Sequence, residues 1–274
     1  NKFGIGTFYN WYGDLPLAHP ITWNVQTEEH EIMDVQNSKY VIMWGSDMVQ
    51  TRIPDAHFFM DVRAKGVKTV YISPYFDPTA TAVDEWVRVR PGTDAALALG
   101  MCHVIVKKGL AKDEYIKKTT SGPLLVLDDT QKYLRMADLK ADGGKKTYVV
   151  WDAASGAPVA DEYFSDKAAL TGSFTVTLKD GKKVSCTTAH SLFLKKLDDY
   201  DPETTSQITG VPAADIERLA GEFAGNYPAS IWSGTGINHW YHGDLIGRSV
   251  IALSILTGNI GVNGGGVSPW AGQY

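Results

Sequence analysis

Three groups of residues in this chain have the types and spacing that chemistry requires. The first is Tyr9-Asn10-Trp11-Tyr12-Gly13-Asp14-Leu15-Pro16. Gly13 leaves little bulk beside the Asp14 carboxylate, and Pro16 stiffens the turn behind it. A carboxylate held this way suits an oxygen ligand to a hard, high-valent metal ion. The alternative reading of the same residues is an Asx-type turn in an aromatic-rich loop. The second group is four short loops: Trp44-Gly45-Ser46-Asp47, Ser73-Pro74-Tyr75-Phe76-Asp77, Pro91-Gly92-Thr93-Asp94 and Ser233-Gly234-Thr235-Gly236. Small residues let backbone N–H groups approach phosphate oxygens, and helix N-termini behind such loops favour negative charge. Acidic residues at these places hold a ribose hydroxyl or a base edge in dinucleotide-binding sheets. None of the loops matches Gly-x-Gly-x-x-Gly or a P-loop, so the nucleotide signal is generic. The third group is Asn238-His239-Trp240-Tyr241-His242, directly after a glycine loop. His239 suits proton donation or a hydrogen bond to an oxyanion, although a lone histidine is more often a structural hydrogen-bonder. His242 stands at metal-pair spacing, but no third and fourth ligands lie near it in sequence, which excludes a zinc site there.

The elements that must position these loops read as strands and helices in alternation. Lys39–Met43 is a short apolar run before a tight turn, so a buried strand. Pro54 and Asp55 open a helix to about Lys65, and Val67–Ser73 is a second strand. A short helix over Thr81–Trp86 precedes a third strand, Trp86–Val89, and Pro91–Asp94 caps a helix to about Lys108. Pro212–Ala224 and Leu245–Leu256 read as helices, Thr187–Leu197 as another, and Ala229–Trp232 as a buried strand. Such alternation indicates βαβ units in a parallel sheet, whose ligands sit at the carboxyl ends of the strands. Alternation in Ser173–Leu178 before Asp180-Gly181 indicates a β-hairpin. The expected fold class is therefore α/β: parallel sheets with flanking helices, Rossmann-like and dinucleotide-binding, plus a peripheral β-hairpin excursion. The expected divisions are an active-site loop segment at 1–38, a dinucleotide-binding unit at 39–126, a peripheral insertion at 127–185 and a second α/β part at 186–274. The glycine-rich end, Gly264 to Tyr274, reads as loop without helix or strand, and both termini read as cut from a longer chain.

Composition narrows the class. The 274 residues are 44% hydrophobic and 21% charged, as in ordinary globular proteins. No apolar run reaches the roughly 20 residues of a spanning helix. A net charge of −5 argues against nucleic acid as a partner. Two cysteines, Cys102 and Cys186, are too few for a four-thiolate zinc or iron–sulfur site. Cys102 lies in an apolar run and reads as a buried thiol.

Residues 8–16 resemble the segment carrying the aspartate ligand of molybdenum in the nitrate-reductase-like (type II) branch of the dimethyl sulfoxide reductase family. Residues 44–58 are similar to that branch's dinucleotide-binding loop and helix. Pro91–Leu97 resembles its guanine-contacting turn, and Asn238–His242 looks most like respiratory nitrate reductases. By this resemblance Asp14 ligates molybdenum, and Tyr9 and Trp11 wall a substrate pocket that His239 faces. Trp44, Gly45, Ser46, Asp47, Ser73, Asp77, Gly92, Thr93, Asp94, Gly234 and Gly236 then hold the cofactor, a molybdenum bis(molybdopterin guanine dinucleotide). The implied reaction is oxygen-atom transfer, nearest to nitrate reduction or nitrite oxidation, on a small oxyanion substrate. The implied context is a membrane-associated or periplasmic complex of a prokaryote. It would include an iron–sulfur cluster N-terminal to these residues, an iron–sulfur beta subunit and a haem- or membrane-anchoring gamma subunit. Perchlorate, chlorate and selenate reductases and ethylbenzene or dimethyl sulfide dehydrogenases share the branch. A catalytically silent nucleotide-binding module is the non-enzyme alternative.

Overall fold

A computed structural model describes residues 21–22, 31–161, 166–237 and 239–270. Their strands, in chain order, begin with β1 (Tyr40–Trp44), β2 (Lys68–Ile72), β3 (Glu85–Val87), β4 (Leu125–Leu127) and β5 (Val149–Asp152). They continue with β6 (Ala157–Ala160), β7 (Ser173–Thr177), β8 (Lys183–Thr188), β9 (Ala229–Gly234) and β10 (Gly266–Trp270). The longest helices are α1 (Ile53–Ala64), α2 (Asp94–Lys107), α3 (Ala213–Gly225) and α4 (Gly243–Leu256). The chain divides into two compact units, residues 1–110 with 200–274, and residues 111–199.

The first unit is built on a five-stranded sheet in the order β10-β9-β1-β2-β3, parallel at every pairing. Every residue of β1 and β9 is buried, as expected for central strands covered on both faces. Side chains alternate between those faces. Val41 and Met43 join Tyr71, Trp232, Phe59 and Val62 in the core that faces α1. On the other face Tyr40 meets Phe223 of α3 edge-on, and Trp44 bonds Asp94 at the start of α2. The sheet thus carries helices on both sides, as the strand–helix alternation requires.

Chain order runs outward from β1 in two directions, through β2 and β3 on one side and β9 and β10 on the other. A ligand crevice forms where such an order reverses, at the carboxyl ends of the two diverging strands. Here that point is the end of β1 and β9. The loops at 45–47, 73–77 and 235–237 all leave the same sheet edge, because their strands are parallel.

Three local expectations are corrected. Gly266–Trp270 is a strand on the sheet edge, paired to β9 rather than loop. An edge position tolerates Pro269, which has no N–H to give. The short helix lies at Pro78–Ala82 instead of 81–86: Asp77 caps it by accepting from Ala80 N at 3.2 Å, with Pro78 in the first turn. Thr187 and Thr188 end β8, and the helix that follows starts at Ala189 with Thr188 as its cap.

The second unit holds an antiparallel sheet, β4-β8-β7, and a two-stranded ribbon, β5-β6. Its core gathers Leu125, Leu134, Val149, Val176 and Cys186, and Trp151 stacks on Phe174 with centroids 4.4 Å apart. β7 and β8 form the expected hairpin. Gly181 takes a left-handed φ of +83°, and the Asp180 carboxylate accepts from Lys182 N at 3.0 Å.

Candidate active site

The β1 and β9 ends touch through backbone. Gly45 has a φ of +63°, and a Cβ there would stand 2.7 Å from Ile237 Cγ2. A Cβ at Gly234 would lie 2.3 Å from the Gly45 carbonyl oxygen and 2.7 Å from Ser46 Cα; one at Gly236 would lie 2.8 Å from the same oxygen. Glycine is required at these places because two turns share the space of one side chain. The turns after β1 and β9 are therefore packed directly on one another.

Side chains brace the loops around that contact. Trp44, fully buried, donates its indole N–H to Asp94 Oδ1 at 2.8 Å. Its ring is a support beneath the edge. Asp94 is buried at the first turn of α2, where the helix dipole favours a negative charge. Burial pushes its carboxyl above the usual value, and the Trp44 bond opposes that rise. Asp77 is also buried: Oδ2 accepts from the Tyr71 hydroxyl at 2.5 Å while Oδ1 caps the 78–82 helix. Burial, then the Asp77 bond, keeps the Tyr71 phenol protonated. Asp47 Oδ1 accepts from Thr79 Oγ1 at 2.6 Å, and Thr79 Oγ1 accepts from Val49 N at 3.1 Å. The loops after β1 and β2 are thereby tied together. Ser73 Oγ closes its own loop on the Tyr75 carbonyl at 3.0 Å, and Trp86 Nε1 donates to the Ser73 carbonyl at 3.1 Å.

The 91–94 turn joins from the side. Thr93 Oγ1 donates to the Arg90 carbonyl at 2.7 Å, and Gly92 has a φ of +76°. Trp240 lies against Gly92 and donates to the Gly236 carbonyl at 3.1 Å. His239 is exposed, between Ile237 and Trp240. The predicted residues on β1, β9, the 91–94 turn and the 239–242 stretch are thus brought together, with Ser73 and Asp77 on the neighbouring loop. Tyr71, Thr79, Ile237 and Trp240 also brace these loops, outside the residues to which the sequence points. Only Trp240, next to His239, carried a local signal. Asp14, Tyr9, Trp11 and Asn238 lie outside the described residues.

The family model for molybdopterin oxidoreductases matches residues 1–271. This chain belongs to the molybdopterin oxidoreductase family. The perchlorate reductase subunit alpha of Dechloromonas aromatica is 38% identical over 98% of this chain and 32% of its own length. The respiratory nitrate reductase subunit alpha of Haloferax mediterranei is 36% identical over 97% of the chain and 29% of its own. The respiratory nitrate reductase 1 alpha chain of Escherichia coli is 32% identical, again over 97% and 29%. The molybdopterin oxidoreductase chain thus spans about a third of the length of the curated relatives it matches. Acetylene hydratase from Pelobacter acetylenicus shares the fold, with a TM-score of 0.58 over 94% of this chain and 26% of that one, at 18% identity. Membership implies a molybdenum–molybdopterin cofactor. Tight glycine turns at the switch point are the feature of the described residues that suits the phosphate-bearing part of such a group, because they bring loop backbone to the strand ends.

Proposed function

We propose that this chain is the cofactor-holding part of a catalytic subunit that transfers an oxygen atom to or from a small oxyanion, with nitrate reduction or nitrite oxidation first. The observation that carries this reading is the edge where the glycine turns after β1 and β9 meet and Trp240 seats the His239 stretch against them. The identities to nitrate reductase alpha subunits support the substrate. A perchlorate or chlorate substrate is the second reading, favoured by the 38% identity to a perchlorate reductase.

The fold would act as a Rossmann-like dinucleotide site, and the cofactor would be the bis(guanine dinucleotide) form. When bound, that cofactor supplies two-electron oxygen-atom chemistry at molybdenum. The protein's part is holding and polarising. Gly45, Gly92, Gly234 and Gly236 permit the tight turns that would bring loop backbone near phosphates, with Ser46, Ser73 and Thr93 beside them. Asp47, Asp77 and Asp94 accept from ribose or guanine; a carboxylate has about four lone-pair sites, so a braced one still has capacity. Asp14 offers the metal an oxygen. Tyr9 and Trp11 exclude water, and His239 donates to the oxyanion and can supply a proton. The remainder of the subunit would carry an iron–sulfur cluster, and iron–sulfur and anchoring subunits would move the electrons.

The test is Asp14→Asn in the full-length subunit. It keeps volume and removes the anionic ligand, so nitrate turnover should fall by orders of magnitude while the dinucleotide stays bound. Asp142→Asn, an exposed carboxylate on the second unit, is the control. Near-normal turnover and an unaltered molybdenum spectrum for Asp14→Asn would leave Asp14 a turn residue. Comparing nitrate, nitrite, perchlorate and ethylbenzene as substrates separates the enzyme readings. Absence of bound molybdenum in the intact subunit would favour the silent module.

A further inference from the structure

The stretch that carries His239 is fastened on both sides by side chains that use glycines as seats. On one side Ile237, 2% exposed, fills the space that a Cβ on Gly45 would need, with Cγ2 2.7 Å from that position. On the other side the Trp240 indole lies on Gly92, where a Cβ would stand 3.2 Å from Cε3 and 3.3 Å from Cδ2. Gly45 and Gly92 both have left-handed φ, a conformation in which a side chain is strained as well as obstructive. The Trp240 indole N–H reaches back to the Gly236 carbonyl at 3.1 Å, and the Trp240 carbonyl accepts from Gly243 N at 2.9 Å as α4 begins. One residue therefore spans three elements: the turn before α2, the turn after β9 and the start of α4.

Trp240 is 46% exposed, so its burial contributes only part of what a core tryptophan would. Its contacts instead determine where the adjacent exposed residue can go. His239 has one anchored residue on its C-terminal side and Ile237 two positions before it. Reactions that depend on a near-attack geometry lose on the order of a hundredfold for a misplacement of about 1 Å.

We propose that Trp240 is a positioning residue: seated on Gly92 and bonded to the Gly236 carbonyl, it holds His239 at a fixed place beside the cofactor edge. The inference rests on the reading that His239 meets an oxyanion. Through Gly92 it also couples the His239 stretch to the turn that starts at Pro91 and ends on Asp94.

The experiment uses the full-length loaded subunit with Trp240→Leu, Trp240→Phe, His239→Ala and the Trp240→Leu/His239→Ala double variant. Amide hydrogen exchange is read in peptides covering 90–94 and 236–243, and nitrate reduction gives kcat and KM. Trp240→Leu should speed exchange in both peptides and lower kcat/KM by tenfold to a hundredfold, on the order expected for a lost alignment. Trp240→Phe keeps a ring on Gly92 without the N–H, so its effects should fall between those of Trp240→Leu and the parent. In the His239→Ala background, Trp240→Leu should cost less than about threefold, because interacting residues are not additive. Full additivity, or unchanged exchange at 90–94, overturns the proposal. A molybdenum-loaded parent that turns over no oxyanion sinks the functional reading instead, and the exchange measurement alone then decides the clamp.

Discussion

The indole N–H of Trp44 donates to the buried Asp94 carboxylate across 2.8 Å, joining the end of the central strand to the first turn of α2. Fifty residues separate the two in sequence. The bond sits directly beneath the loops proposed to hold the cofactor.

Trp44→Phe keeps the ring and removes the donor, leaving a buried carboxylate short of a partner. The loss should be about 1–3 kcal/mol of stability. Burial already raises the Asp94 carboxyl above its ordinary 3.8, and losing the indole should raise it further. With a raised folded value, Asp94 favours folding below the ordinary value, and that contribution is lost as pH rises through the folded one. The variant's deficit should therefore be smallest below pH 3.8 and largest at neutral pH, as read from unfolding midpoints across pH.

Gly234→Ala would push a Cβ to within 2.3 Å of the Gly45 carbonyl oxygen, and backbone on both sides must move. Overpacking of this kind costs about 1–3 kcal/mol. It should also open the β1–β9 edge, so bound molybdopterin per subunit should fall several-fold. Gly221→Ala, in α3 with nothing within 4 Å, is the contrast. It should be neutral or stabilising by up to about 1 kcal/mol, with cofactor content unchanged.

Glu222 anchors a charged cluster where β1, β2 and β3 begin, the sheet edge opposite the candidate site. It accepts from Lys68 at 2.8 Å, Tyr40 at 3.0 Å and Arg218 at 3.2 Å, and Arg218 also pairs with Glu85. Burial alone would raise its carboxyl, but the hydrogen bonds from Lys68, Tyr40 and Arg218 outweigh burial and hold it below its ordinary 4.5. Its contribution is present above 4.5 and is lost as pH falls through the lowered folded value. Glu222→Gln should cost about 1 kcal/mol at neutral pH, allowing for partial exposure. Parent and variant should converge in acid unfolding.

Both cysteines are free and buried. Burial raises both thiols, Cys186 to about 11 with help from Asp128 and Asp129, and Cys102 further. Thiolate is the reactive form. Peptide mapping after iodoacetamide should find both unmodified in the folded subunit and both alkylated in denaturant. Rapid native labelling of Cys102 would mean that the α2 core opens.

Much of the scaffold was legible in short windows. Buried apolar runs such as Tyr40–Trp44 and the Pro and Gly signals around α1 and α2 are local, and so is the Asp180-Gly181 hairpin turn. Each encodes its own backbone, so the alternation of strand and helix, and with it the loop-bearing edge, follows from the sequence. The helix Pro202–Thr209 carries the same kind of local signal: Asp201 caps it and Gly210 ends it with a φ of +75°. What the windows could not carry is the identity of distant partners. β10 is a strand because β9 offers it hydrogen bonds, and five residues containing Gly and Pro would not extend alone. Trp44 looked like a ligand contact from its place beside Gly45, yet the pleat turns it inward to Asp94. Ile237 seats on Gly45 and Trp240 on Gly92 across more than a hundred residues. Periodicity and turn chemistry are properties of neighbours in sequence, and they determined the elements. Which side chain fills which glycine's empty space depends on close packing between those elements, and only the tertiary structure decided that.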